Sequence, residues 1–382
     1  MAKQSFFRLI AGALAAFVLL PVAHAQVLPD DRFDLLYHSY EGDQITITGP
    51  SLLARKKIGQ KVSVSANYYV DEISSASIDV RSYASPYTEQ RNEFSLSADY
   101  LVGETILTAG YTNSDEQDFE AQTAFFGVAQ EVFGGLTTVN LSYARGWDEI
   151  GQVTDPEFFR EADRRLYRVG LSQVITKNLL LTFDFEGITD EGFLNNSYRQ
   201  VRFRDPGDAR GYRFQPELYP ETRTSSAFSL GGRYFIGAGP SAVYANARTY
   251  SDTWGIAAWN AELGYTYSLR SKWLFDLSAR HYSQTAADFF SDLYPFENAQ
   301  NFLGRDKEIS TFTNTGIKLD VTYDFSVDMF RFLDRGTLNF SYNYIMFEYE
   351  DFRNIPAGGD PGEEPLFEFN ADVIQVYLSF WF

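Results

Sequence analysis

The chain has no cysteine, three histidines and three methionines in 382 residues. Without cysteine no disulfide framework staples it, so its cohesion is noncovalent. Past residue 20 no stretch approaches eighteen consecutive apolar residues, which excludes membrane-spanning helices. Basic tracts are missing too, and Asp and Glu outnumber Lys and Arg 51 to 32, for a formal net charge of −19. Both features argue against nucleic acid as a partner. Catalytic equipment is sparse. Once an N-terminal leader is set aside only His38 and His281 remain, far apart in sequence, and there is no G-x-S-x-G elbow, H-E-x-x-H or phosphate-binding loop. The nearest approach, Ala227-Phe228-Ser229-Leu230-Gly231, reads as strand interior. No catalytic, cofactor or metal site is assigned, and the chain is not read as an enzyme. A hydrolase reading would require His38 or His281 to approach a Ser or Asp in space.

What is present is aromatic and alternating. Hydrophobic residues make up 45% and aromatics 17%, yet mean hydropathy is −0.26. That combination fits strands of which only alternate residues meet an apolar phase. The C-terminal stretch is the clearest case. Ile374, Val376, Leu378, Phe380 and Phe382 share one parity; Val373, Gln375, Tyr377, Ser379 and Trp381 share the other. A strand with one unbroken apolar face ending on a terminal aromatic has the form of the closing strand of a bacterial outer-membrane β-barrel. In such barrels those alternate residues are the signal read by the barrel-assembly machinery. At the other end, Lys3 and Arg8 precede an apolar run and the small-residue site Ala23-His24-Ala25. Residues 1–25 are expected to be a secretory signal cleaved before Gln26, leaving 26–382 as a single, more acidic barrel domain.

Between these ends run about sixteen two-period segments, among them 93–102, 308–326 and 337–350. In one, Ile317, Leu319, Val321, Tyr323 and Phe325 alternate with Lys318, Asp320, Thr322 and Asp324. Segments 119–133 and 241–251 have no decisive parity. Tight turns such as Gly59-Gln60, Gly103-Glu104, Gly134-Gly135 and Arg270-Ser271 alternate with long polar connections at 81–92, 148–162, 188–222, 283–307 and 351–366. Residues 327–336, apolar and aromatic, fall on the short-turn side. Tyr111, Tyr143, Trp259, Tyr267, Trp273 and Tyr349 sit where interfacial girdles belong. The expected fold is all-β: a transmembrane antiparallel barrel of about sixteen strands in the bacterial outer membrane, with short periplasmic turns and long extracellular loops. Lipid and lipopolysaccharide are then its surroundings.

Charged residues on the inward parity are Asp99, Arg168, Asp184, Glu186, Arg233, Arg248, Glu262, Asp276, Arg280, Lys318, Asp320 and Asp324. They line a pore or pair off to plug it. The longest loop, 188–222, carries Arg199, Arg202, Arg204, Arg210 and Arg213 amid too many bulky apolar groups for a solvated tail. It is expected to fold inward as a constriction, its arginines pairing with wall carboxylates Asp184, Glu186, Glu262 and Asp276. Acidic runs at 115–120 and 359–364 offer oxygen ligands without EF-hand spacing and are read as solvated loops.

Three stretches carry a resemblance: Asp34-Leu35-Leu36-Tyr37-His38, Ser85-Pro86-Tyr87-Thr88-Glu89-Gln90-Arg91, and the run Gly192-Phe193-Leu194-Asn195-Asn196-Ser197-Tyr198-Arg199-Gln200-Val201-Arg202. Over nearly the whole mature chain the sequence resembles an uncharacterised Gram-negative outer-membrane family, domain of unknown function 3570. Ser197 stands where that family has Pro before the Tyr-Arg pair, which puts the conformation of that loop in question. The resemblance implies no catalytic residues; through gene neighbourhood it implies a periplasmic lipoprotein or redox partner. Two functions follow as expectations: a passive channel for small polar solutes, or a plugged barrel acting as surface receptor or scaffold.

Overall fold

Alternation on a pleated strand puts successive side chains on opposite faces, so a chain of such strands can close on itself with one face to lipid and one to the lumen. The computed structural model describes residues 27–75, 77, 82, 87–237, 239–325 and 332–382. The expected leader 1–25 and the first half of the 327–336 stretch lie outside them. Sixteen long strands form the wall. They are β1 (Arg32–Gly42), β2 (Ile45–Ile58), β3 (Val62–Ser75), β4 (Tyr87–Val102), β5 (Thr105–Asp115), β6 (Phe119–Val132), β7 (Thr137–Ile150), β8 (Arg160–Thr176) and β9 (Leu179–Gly192). After a short hairpin, β10 (Gln200–Arg204) with β11 (Tyr212–Pro216), the wall resumes. Its second part is β12 (Thr222–Ile236), β13 (Ser241–Asp252), β14 (Ala257–Leu269), β15 (Trp273–Gln284), β16 (Phe312–Phe325), β17 (Arg335–Arg353) and β18 (Leu366–Trp381).

Every neighbouring pair is antiparallel, and β18 closes on β1 from Arg32↔Trp381 to Gly42↔Ala371. Closure leaves no unpaired edge, which is what lets strands cross a membrane. Short turns occupy one end, with Gly59, Gly103, Gly134, Arg270 and Ser271 in the left-handed region that two-residue hairpins require. By the rule for outer-membrane barrels this end is periplasmic and the long-loop end extracellular.

Several boundaries differ from the sequence reading, among them the end of β9, which runs past Gly187 to Gly192. β4 begins at Tyr87 and β17 runs on to Arg353, so both rise higher above the membrane than expected. β16 begins at Phe312, because Lys307–Ile309 form a 3-10 turn whose N-cap, Asp306, accepts from the Glu308 amide at 2.8 Å.

The outward parity carries the large exposed apolar side chains, such as Phe94 and Leu96, Leu141 and Tyr143, Leu263 and Tyr265, Ile317 and Leu319. So much exposed apolar surface is a lipid-facing belt. The two undecided strands resolve the same way. In β6 Phe126 faces out, while its neighbour Phe125 faces in and lies over Gly110; in β13 Val243 faces out and Tyr244, Arg248 and Tyr250 face in. Tyr349 is no girdle residue. It is inward and buried with Phe312, Phe352 and Phe367. Because Leu319 sits mid-strand on the belt and Asp320 on the inner wall, Leu319→Arg is expected to cost about 2–4 kcal/mol and Asp320→Arg far less. Urea titrations of the two variants refolded into lipid vesicles would measure the difference, and equal losses would mean the faces are reversed.

Candidate functional site

The inner wall at mid-height is polar and largely self-paired. Glu186 on β9 is held by Arg168 on β8 and, at 2.7 Å, by Arg248 on β13. Asp276 on β15 accepts from the Tyr244 hydroxyl at 2.7 Å and from Thr266. Glu262 accepts from Asn246 at 3.3 Å and stands opposite Arg280 in the β14–β15 register. Arg233 lies 4.8 Å over the Tyr244 ring, and Asp99 accepts from Thr108 at 2.7 Å. Lys318 pairs with Asp320 at 2.9 Å, each side chain about one-third exposed, and Asp324 pairs with Arg335 nearer the periplasmic rim. The wall is therefore wet.

Above it the character changes. The loop of residues 193–221 does not reach down to these wall carboxylates, whose partners are supplied by the wall itself. Its arginines pair within the loops. Arg202, with no exposed surface, donates through Nη1 and Nη2 to Glu364 and through Nη2 to Asp292; its Nε donates to the Asp292 carbonyl at 2.9 Å. Asp292 also holds Arg305, at 2.9 Å and also buried, and accepts from the Arg353 amide at 3.2 Å. A buried guanidinium persists only where its donors are met by charge and hydrogen bonds, and three loops converge here to meet them. Burial pushes the Glu364 carboxyl up, but the hydrogen bonds and charge of Arg202 outweigh it and hold the group below the ordinary glutamate value. The other three loop arginines are peripheral: Arg210 binds Asp208, Arg213 lies 3.7 Å from Asp205, and Arg204 borders Gly362.

Two further buried pairs run in series. Arg199 of the β9–β12 loop binds Asp306, and the next residue, Lys307, binds Asp43 in the β1–β2 turn. In the closed order the β9–β12 and β1–β2 hairpins are eight strands apart in a ring of sixteen, so this series ties together loops that start from opposite sides of the ring. Backbone bonds reinforce it. Leu218 and Leu303 exchange amide bonds at 2.9 and 2.7 Å, and Tyr294 exchanges with Arg202 and Arg204 at 2.9 Å.

Apolar packing fills the space between. Val201, Phe203, Tyr294 and Leu303 form one buried cluster. Leu194, Tyr219, Trp254, Phe289 and Ile309 form another, which merges with rim residues Ile150 and Ala162. Inward aromatics Phe312, Tyr349 and Phe367 continue the layer across β16 to β18. Each such side chain contributes about 1.5–3 kcal/mol on burial, enough together to hold loops in a defined fold. Asp43, Asp292, Arg305, Asp306, Lys307 and Glu364 were not legible as a site in the sequence. The available signal was that residues 283–307 are as rich in Phe, Leu and Tyr as 188–222. Ser197 is accommodated: its hydroxyl donates to the Gly151 carbonyl at 3.4 Å and its own carbonyl accepts from Gln152 at 2.9 Å.

His38 does approach an acid. Its Nε2 lies 2.7 Å from Asp71, whose other oxygen takes Arg91 at 2.6 Å, and its ring stacks on Tyr69 at 4.7 Å. The reach from β1 to β3 passes over Gly49, where a Cβ would come within 1.8 Å of the Val70 carbonyl oxygen. Pro50 beside it has no amide to give the ladder, which is unpaired at these two residues. Among the described residues no serine hydroxyl bonds to His38, and His281 meets only Thr315, at 2.9 Å, and the Trp259 ring. Outside the cap's core, Glu89, Glu116 and Asp118 bring carboxylate oxygens within 4.8 Å of one another, and Asp118 accepts from Tyr198. Of the residues expected from the sequence to form an assembly signal, Ile374, Val376 and Phe382 face outward, with Lys56 lying 4.7 Å over the Phe382 ring.

Solved barrels resemble this chain only in outline. OmpT of Vibrio cholerae superposes with a TM-score of 0.44 at 9% identity over 94% of this chain and 100% of that one. The CymD monoaromatic hydrocarbon channel gives 0.43 at 9% identity over 94% and 90%. The siderophore receptor PirA from Pseudomonas aeruginosa gives 0.42 at 10% identity over 92% and 63%. No curated protein matches the sequence significantly. The family described as "Protein of unknown function (DUF3570)" matches over residues 78–344, more than half of the chain, and this outer-membrane barrel belongs to it.

Proposed function

We propose that the protein is a barrel whose extracellular mouth is held shut by its folded loops, serving as a surface receptor or scaffold and not as a standing-open pore. The observation that carries this reading is the buried ionic series Arg199–Asp306 and Lys307–Asp43, which joins loops rooted on opposite sides of the mouth. A constriction that passes ions keeps its charges hydrated; these are buried and paired. The inward-parity charges Asp184, Glu186, Arg233, Arg248, Glu262, Asp276, Arg280, Lys318, Asp320 and Asp324 then line a vestibule facing the periplasm. A periplasmic lipoprotein or redox partner would meet the barrel at that end. A second reading, a solute conduit that opens when the cap is released, draws on the wet wall at Lys318 and Asp320. The His38–Asp71–Arg91 group ties β1, β3 and β4 together beneath the cap and needs no catalytic role.

Planar-bilayer recording of the purified full-length protein tests the reading. The expected trace at neutral pH is silent, and steady single-channel steps would overturn it.

A further inference from the structure

On the outer surface of the cap a cavity of about 290 Å³ lies where three segments meet. Pro220 comes from the β9–β12 loop, Thr253 and Trp254 from the β13–β14 turn, and Asp288, Phe289 and residues 300–302 from the β15–β16 loop. Its floor is aromatic. Trp254 and Phe289 are buried with ring centroids 5.3 Å apart, and Phe302, 41% exposed, stands 6.3 Å from Phe289. The floor is also fixed: the Trp254 indole donates to the Thr222 carbonyl at 3.0 Å, and Arg223 covers the ring at 4.5 Å.

The rim is polar and uncommitted. The side chains of Asp288, Gln300 and Asn301 are exposed and make no hydrogen bond among the described residues, whereas Thr253 accepts from the Thr224 amide at 3.1 Å and keeps its own proton to donate. Asp288 is placed by backbone. Its amide donates to the Trp254 carbonyl at 2.8 Å, and its carboxylate occupies the space that a Cβ on Gly255 would fill, 2.3 Å away.

We propose that this cavity binds a neutral pyranose unit of a surface glycan, which gives the receptor reading its ligand class. A pyranose has an apolar C–H face for Phe302 and the exposed edge of the aromatic floor, and adjacent hydroxyls for a planar carboxylate that accepts and carboxamides that both accept and donate. The volume, near the lower end for ligand sites, suits one ring. An anion is disfavoured, since the lining holds one carboxylate and no cation. A quaternary ammonium would use Asp288 and the rings but leave two carboxamides and a hydroxyl unused.

Calorimetric titration of the full-length protein, in a detergent without a sugar headgroup, would use maltose, galactose and diacetylchitobiose, with choline and inorganic phosphate as controls. Saturable binding of at least one sugar is expected, weakened about tenfold or more by Phe302→Ala and by Asp288→Ala. Both variants should keep the heat-modifiable gel mobility of a folded barrel. Repeating the titration in vesicles with and without lipopolysaccharide separates the sources: competition there assigns the membrane's own glycan, its absence a free saccharide. Failure of all three sugars, binding indifferent to Phe302→Ala, or binding of choline alone would overturn the proposal. Silence or conductance in a bilayer reports on the closed mouth alone, so a conducting barrel that still binds sugar would sink the first reading and leave this one standing.

Discussion

Replacing Arg199 and Lys307 together by alanine is expected to turn a silent barrel into a conducting one. Each substitution leaves a buried carboxylate, Asp306 or Asp43, without its cation. Such an orphaned charge costs about 3–5 kcal/mol, and the cap relieves it by letting water in. The sixteen-strand ladder is untouched, so the folded band should survive in unheated gels while bilayer recordings show steps absent from wild type. The pair exchange Lys307→Met with Asp43→Leu removes both charges and should leave the mouth closed. If the alanine variant stays silent, the ionic series does not hold the cap; if wild type already conducts, the loops do not seal the mouth.

The second large effect lies at Arg202. Arg202→Ala strips Glu364 of its bidentate partner and leaves Asp292 with Arg305, a loss of about 3–5 kcal/mol confined to the cap. Limited proteolysis of intact cells should then cut within residues 193–221 or 285–311, while the barrel fragments remain membrane-bound. The same contact sets a pH dependence. The Glu364 carboxyl is held below its ordinary value of 4.5 in the folded cap. Its contribution is therefore fully present above that value and fades as pH falls through the lower folded one. Wild-type cap should resist protease at neutral pH and loosen below about pH 4.5. Arg202→Ala should be cut at both pH values. A wild-type cap equally resistant across this range would remove Glu364 from its support.

The strands were legible because a barrel strand obeys a rule of period two that each segment carries by itself. Ile317, Leu319 and Val321 against Lys318, Asp320 and Thr322 name both faces with no knowledge of any other strand. The tight turns were legible for the same local reason: Gly59, Gly103 and Gly134 take a backbone conformation that few other residues accept. Loop composition also showed that 188–222 would fold onto something, since its aromatics had to be buried.

What it folds onto was decided only in three dimensions. The sequence reading sent the loop arginines down to Glu186 and Asp276, but Arg168 and Arg248 already hold the first, and Tyr244 and Thr266 the second. Ring closure brings Glu364 to Arg202 across 162 residues and Asp43 to Lys307 across 264. No periodicity encodes such a pairing, because it depends on which hairpins stand opposite each other in a closed ring. So the sequence by itself determined the wall, its two faces and its two ends. The tertiary structure decided which charges meet at the outer end, since a buried charge takes whichever counter-charge the closed chain presents to it.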